Sequence, residues 1–237
     1  VDVLNIDNPV GVRGDVHEVI RGMMGGGPEG ERADAAPLMS HLYKAAHNVT
    51  GSSGADAWAG TKYKDKANGG LGNDVLDGKR GSDTLNGGKG NDELIGGQGA
   101  DALIGGNGKD KLLGGGGKDM LTGGRSADTL SGGKGGDMFV FASAKDANKD
   151  RITDFKSKQG DAMDVSGIDA ISGNGTKQDD TFTFIGDADF SNTAGELRYS
   201  KQKSQTLIQG DVDGDGRADF AVRLTQSMNL SADDFIL

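Results

Sequence analysis

From Gly51 to Val140 the chain reads, set out in nines, GSSGADAWA, GTKYKDKAN, GGLGNDVLD, GKRGSDTLN, GGKGNDELI, GGQGADALI, GGNGKDKLL, GGGGKDMLT, GGRSADTLS, GGKGGDMFV. Position six is Asp in all ten: Asp56, Asp65, Asp74, Asp83, Asp92, Asp101, Asp110, Asp119, Asp128 and Asp137. Position eight is apolar in all ten, from Trp58 and Ala67 through a run of leucines to Phe139. No insertion breaks the register, and a fixed short period is the signature of a stacked repeat. The spacing predicts a Gly-rich turn of six residues and a strand of three per repeat. Only the side chain at position eight then points inward. The fold class predicted is mainly β, a parallel β-roll (β-solenoid) of nonapeptides.

Composition shows why such a roll needs help. Hydrophobic residues make up 34% of the chain, and 43 of 237 residues are Gly, which supplies no side chain to a core. With no cysteines, neither a disulfide framework nor a thiolate metal site is available. A net charge of −10 argues against nucleic acid, whose phosphates want a basic surface. No apolar run reaches membrane-spanning length.

The Asp positions supply the help. If two nonapeptides make one coil, coils stack at about 4.8 Å. A cation midway between two loops then lies roughly 2.4 Å from each, the calcium–oxygen distance, whereas magnesium wants a shorter and more rigid shell. Carboxylates and bare carbonyls are the hard oxygen donors that calcium prefers. The strongest ligands predicted for Ca2+ are Asp74, Asp83, Asp92, Asp101, Asp110, Asp119, Asp128 and Asp137. The predicted carbonyl donors are Gly70, Gly72, Gly88, Gly90, Gly97, Gly99, Gly106, Gly108, Gly115, Gly117, Gly133 and Gly135.

Five loops per edge leave four gaps on each edge of the roll. The two gaps at the N-terminal end, around Asp56 and Asp65, are the weakest, because Tyr63 replaces Gly and GSSGAD lacks its second Gly. Lys79 and Ser126 are further departures. The competing reading, plain Gly-rich turns with Asp as a turn residue, does not account for ten Asp in strict period. Residues 51–140 carry 12 Asp+Glu and 11 Lys+Arg, so the repeat is nearly neutral before any ion binds. That predicts modest calcium affinity, suited to an extracellular milieu. Without metal, stacked carboxylates repel and one core side chain per strand is too few, so a disordered metal-free state is expected.

Two zones flank the repeat. Residues 1–50 hold all three histidines and two helix-like patterns: Val16, Val19, Ile20 and Met23 after Asp15 and Glu18, and Leu38, Leu42, Ala45 and Ala46 after Pro37. They read as a helical cap or docking segment. Residues 141–237 regain aromatics and short β-like runs at 181–185, 196–199 and 206–209, and read as a β-rich cap. Asp211, Asp213, Asp215 and Asp219, with Gly216 at position six, imitate a calcium loop. Val222 stands where an EF-hand needs Glu. A calcium site and an acidic hairpin turn fit this segment equally well.

The repeat resembles the RTX family. The segments 150–155 (DRITDF), 160–170 (GDAMDVSGIDA), 194–199 (AGELRY) and 209–220 (QGDVDGDGRADF) resemble the C-terminal module of serralysin-type secreted metalloproteases. The likeness covers about 51–237. It implies further, weaker calcium candidates at Asp154 and Asp161. It also implies a secreted, extracellular protein, exported by a type I ABC exporter that reads an uncleaved C-terminal signal. The ending Asp234-Phe235-Ile236-Leu237, an acid before three hydrophobics, is similar to that family's terminus.

No catalytic site is expected. His17-Glu18-Val19-Ile20-Arg21 puts Arg where a zincin needs its second His, and 50 residues are too few for a protease domain. The leading expectation is a non-catalytic calcium-binding protein. Its rivals are the secretion and folding module of a larger metalloprotease, lipase or epimerase extending upstream of Val1, and a module that binds cell-surface or acidic polysaccharide through the lysines at positions three and five.

Overall fold

Two nines return the chain to the same sheet, so residues 18 apart should be lateral neighbours. In the computed structural model they are. Leu85, Leu103 and Leu121 are ladder partners in one parallel sheet, and Leu76, Leu94 and Leu112 in the other. The structure describes residues 5–6, 46–172 and 180–237. The helix-like patterns at 15–23 and 37–46 lie almost wholly outside these residues, as do His17 and His41.

Seven of the repeat's strands are longer than the three residues the period suggests, while Ala57–Ala59, Val75–Asp77 and Met138–Val140 keep that length. Ala102–Asn107 and its equivalents run for six, through positions seven to nine of one repeat and one to three of the next. Only positions four to six leave the ladder. The reason lies at position two: Gly106 has φ +109, so the chain bends there while Gly88, Gly106 and Gly124 remain in register. A side chain is strained in that region, and a Cβ on Gly106 would also lie 2.2 Å from the Gly88 carbonyl oxygen.

Alternation along each strand puts position eight inside. Leu76, Leu85, Leu94, Leu103, Leu112, Leu121 and Leu130 are all fully buried, between Trp58 at one end and Phe139 at the other. Each nonapeptide thus adds one apolar side chain to the core, a thin column for the length of chain it orders.

Both sheets extend beyond the repeat. Asn48–Thr50 pairs in parallel with Lys66–Leu71, adding a strand before Gly51, and Asn5–Ile6 pairs with it antiparallel. Downstream, Met138–Val140, Ala162–Asp164 and Phe235–Ile236 continue the first sheet in parallel. The second sheet continues through Arg151–Ile152 to Phe220–Leu224. It then turns antiparallel through Thr206–Asp211 and Glu196–Lys201. Aromatic contacts close this end: Phe139 on Phe155, and Phe184 between Tyr199 and Phe235. Among the described residues, no helix is long and apolar enough to cross a membrane.

Candidate metal centre

Position six ends the turn, and its Asp is buried in every repeat. Alternate repeats share an edge, so the ten Asp form two columns. Along one, the backbone N–H of Asp74 donates to Asp92 Oδ1, that of Asp92 to Asp110, and that of Asp110 to Asp128, each at 2.8 Å. Along the other, Asp83 donates to Asp101, Asp101 to Asp119 and Asp119 to Asp137, at 2.7 to 3.0 Å. Each Asp carbonyl oxygen accepts from position seven of the next coil, as in Lys111 N–H to Asp92 O at 2.8 Å.

One atom is left over. Oδ2 of Asp74, Asp83, Asp92, Asp101, Asp110, Asp119, Asp128 and Asp137 is buried and has no hydrogen-bond partner. A buried carboxylate oxygen without a donor is costly and needs an explanation. These oxygens do not stand alone. A Cβ placed on Gly105 would lie 2.5 Å from both Asp110 Oδ2 and the Gly123 carbonyl oxygen. On Gly114 it would meet Asp119 Oδ2 and the Gly132 carbonyl at 2.6 Å each. Position one is Gly because two oxygens from adjacent coils converge on its face. A set of buried carboxylate and carbonyl oxygens, with no hydrogen bond to the carboxylate Oδ2, fits a hard divalent cation.

Electrostatics says the same. Burial pushes the carboxyls of Asp83 and Asp128 up to about 6, and those of Asp110 and Asp119 up to about 7. The N–H donated to Oδ1 pulls the other way. For Asp110 and Asp119, the carboxylates above and below in the column add to the rise. Asp74, Asp92, Asp101 and Asp137 are raised too, again chiefly by burial. The columns disfavour their own negative charge.

Each column runs one member further than the period shows. Asp128 N–H donates to Asp150 Oδ1 at 2.8 Å, and Asp137 N–H to Asp161 Oδ1 at 3.0 Å. Asp150 is fully buried, its Oδ2 has no partner, and burial pushes its carboxyl up to about 8. The charge of Asp146 bears on both Asp128 and Asp150. Asp150 stands outside the ligand set read from the sequence because its step from Asp128 is 22 residues rather than 18, while Asp161, 24 residues from Asp137, is among the weaker candidates. A signal existed: Asp150-Arg151-Ile152 and Asp161-Ala162-Met163 keep the Asp-x-apolar triplet of the repeat.

The other candidates are placed as follows. Carbonyl oxygens at positions two and four stack on the glycines of the next coil. A Cβ on Gly108 would lie 1.7 Å from Gly90 O, and one on Gly115 would lie 2.2 Å from Gly97 O. The carbonyls beside Oδ2 are those at position one, outside the predicted set. Asp154 accepts from Ser131 Oγ and from the N–H of Gly132 and Gly133 at 2.8 to 3.0 Å, which ties the cap to the last repeat. Asp161 Oδ2 accepts from Lys156 N–H at 2.8 Å. Asp56 and Asp65 have Oδ2 filled by donors from their own loops.

Asp211, Asp213 and Asp215 bring carboxylate oxygens within 4.8 Å of one another. Buried Asp211 already accepts from Gly214 and Gly216 N–H, and Asp219 accepts from Val212 N–H. That geometry is a hydrogen-bonded turn between Thr206–Asp211 and Phe220–Leu224. Lys79 and Ser126 keep positive φ, +72 and +94, so the two departures preserve the loop path.

A family model of the peptidase M10 serralysin C-terminal domain matches residues 44–237. Among solved structures, the chain is similar to the AlgE6R2 subunit of the Azotobacter vinelandii mannuronan C5-epimerase, with 25% identity, 78% of this chain and 92% of that one covered, and a TM-score of 0.42. The AlgE6R3 subunit of the same enzyme gives 26% identity, 78% and 80% coverage, and 0.35. Extracellular lipase LipA from Serratia marcescens gives 16% identity, 79% and 39% coverage, and 0.36. No curated protein sequence matches.

Proposed function

This chain belongs to the peptidase M10 serralysin C-terminal family, and we propose that it binds calcium between the stacked loops of its roll and folds on doing so. The observation that carries the reading is the double column of buried Oδ2 atoms without donors, Asp74 to Asp137. The ligands are those Asp, extended by Asp150, together with position-one carbonyls such as Gly123 O and Gly132 O. Calcium bound there would neutralise the columns and tie each coil to the next. The chain's own residues do the rest: Oδ1 fixes each carboxylate to the coil before it, and positive-φ glycines keep the loops open enough to expose their oxygens.

The module is the non-catalytic C-terminal part of its family's architecture. Its proposed role is to let an exported polypeptide stay unfolded until it meets external calcium. The terminal residues support this order of events. Asp234 and Phe235 are buried, and Phe235–Ile236 is a strand of the first sheet. An exporter reading that segment would need it free, hence before the roll forms. Affinity in the range of about 10⁻⁴–10⁻³ M, that of extracellular modules, is expected. Equilibrium dialysis of calcium against the full chain tests the reading: several ions per chain support it, and none sinks it.

One observation favours a second role. Lys109, Lys145 and Lys149 line a cleft of about 420 Å³ with Ser126 and Asn148, at the cap end of one edge. A cleft lined by three lysines would suit an acidic polysaccharide. Retention on an alginate column with calcium present, abolished by replacing the three lysines with Gln, is the test.

A further inference from the structure

Two loops of the nonapeptide repeat differ chemically from the other eight. In the first, Ser52 donates its backbone N–H and its hydroxyl to Asp56 Oδ2, at 2.7 and 3.0 Å. In the second, Thr61 does the same to Asp65 Oδ2, at 2.6 and 2.9 Å. Each hydroxyl is held from the other side too, accepting from Gly54 N–H at 3.1 Å and Tyr63 N–H at 3.0 Å. From Asp74 to Asp137 the corresponding Oδ2 is buried and has no donor. At Asp56 the unpartnered oxygen is instead Oδ1. That atom is the one an earlier coil's N–H would reach.

The difference traces to position two of the nonapeptide. Loss of glycine is not enough to cause it, and Lys79 provides the control. Lys79 also replaces Gly at position two, yet it keeps the left-handed backbone and turns its ammonium to Asp77. Asp83 Oδ2 in that loop remains without a donor. Ser52 and Thr61 have no positive φ, so their N–H points at the carboxylate and the hydroxyl follows. An N–H and an O–H then occupy the lone pairs that a cation would need.

We propose that position two selects how each loop satisfies its Asp, and that the loops of Asp56 and Asp65 are metal-free. Ser52 and Thr61 stand in for the ion and give the roll an N-terminal end that closes without calcium. The proposal rests on the calcium reading above, and it limits where that reading applies. Ion binding begins at the gaps that Asp74 and Asp83 enter through Oδ2, and it continues to the cap.

The test is calcium stoichiometry by equilibrium dialysis on the full chain and three variants. D56N/D65N should bind as many ions as the unaltered protein, whereas D92N/D101N should bind fewer. Ser52→Gly restores glycine at position two of a loop that already has Gly51, Gly54 and Asp56, and should bind one ion more. Loss of ions in D56N/D65N to the extent seen in D92N/D101N would overturn the proposal. So would an unchanged count in Ser52→Gly, which carries the test alone if D56N/D65N fails to fold in calcium. No calcium bound by the unaltered chain is a separate result and overturns the calcium reading itself.

Discussion

Asp110 donates its backbone N–H to Oδ1 of Asp128 at 2.8 Å, while Oδ2 of that same Asp128 is buried and receives nothing. One carboxylate thus does two jobs, with one oxygen binding coil to coil and the other facing the gap. The division explains why a single residue type fills position six. Its short side chain reaches back to a backbone N–H while leaving a charged oxygen in the gap.

Asn at the same position separates the two jobs. It keeps the Oδ1 acceptor and replaces the orphaned oxygen with an amide NH2 that cannot ligate a cation. Asp110→Asn and Asp119→Asn should therefore raise the calcium concentration needed for folding, and leave the metal-free chain no less structured than before. Calcium titrations followed by circular dichroism check both halves. An unchanged calcium midpoint would exclude these residues as ligands.

The metal-free chain should gain structure in acid. Burial holds these carboxyls above the ordinary value of 3.8, to about 6 at Asp83 and Asp128, about 7 at Asp110 and Asp119, and about 8 at Asp150. The folded state then keeps protons that the unfolded chain has released, so stability falls as pH rises. This contribution is fully present below about pH 3.8. It is lost as pH passes through about 6 to about 8. Far-ultraviolet circular dichroism in a chelator should show β-structure at pH 4 that fades towards pH 8. A signal that grows with pH would contradict the assignment.

Leu103 sits fully buried between Leu85 and Leu121 in the first sheet. A core this thin cannot close a cavity by shifting neighbours. Leu103→Ala should cost about 2–5 kcal/mol in saturating calcium. Urea unfolding at fixed calcium reads the difference. A loss under 1 kcal/mol would mean that metal, and not the apolar column, sets the stability of the folded roll.

Much of this was legible in the sequence, because the period carries it. The parallel roll, the inward leucines and both Asp columns follow from nine-residue spacing. What the period could not show lies where it stops or where two residues of one loop meet. Asp150 and Asp161 extend the columns across insertions. Ser52 and Thr61 fill their own carboxylates through contacts four residues away. Full strand length is not legible in the period because Gly-Gly reads as a turn, whereas stacking keeps positions one to three in the ladder through most of the bends.

Ser126 holds φ +94 at a position that is glycine in most loops. A non-glycine residue in the left-handed region costs roughly 1–2 kcal/mol. Ser126→Gly should stabilise the calcium-bound roll by about 1 kcal/mol, after allowing for the greater freedom of glycine in the unfolded chain. Lys79→Gly should gain less, since it also gives up the exposed ion pair with Asp77. Urea midpoints compare the two, and a destabilised Ser126→Gly would refute the strain argument.

The most direct measurement is circular dichroism of the full chain at pH 7.5 against calcium concentration, with magnesium at equal concentration as the control. The account predicts a chain largely without β-structure in chelator, a cooperative gain as calcium rises, and no comparable gain with magnesium. A chain that already shows its full β signal in chelator, and does not respond to calcium, would contradict metal-driven folding outright.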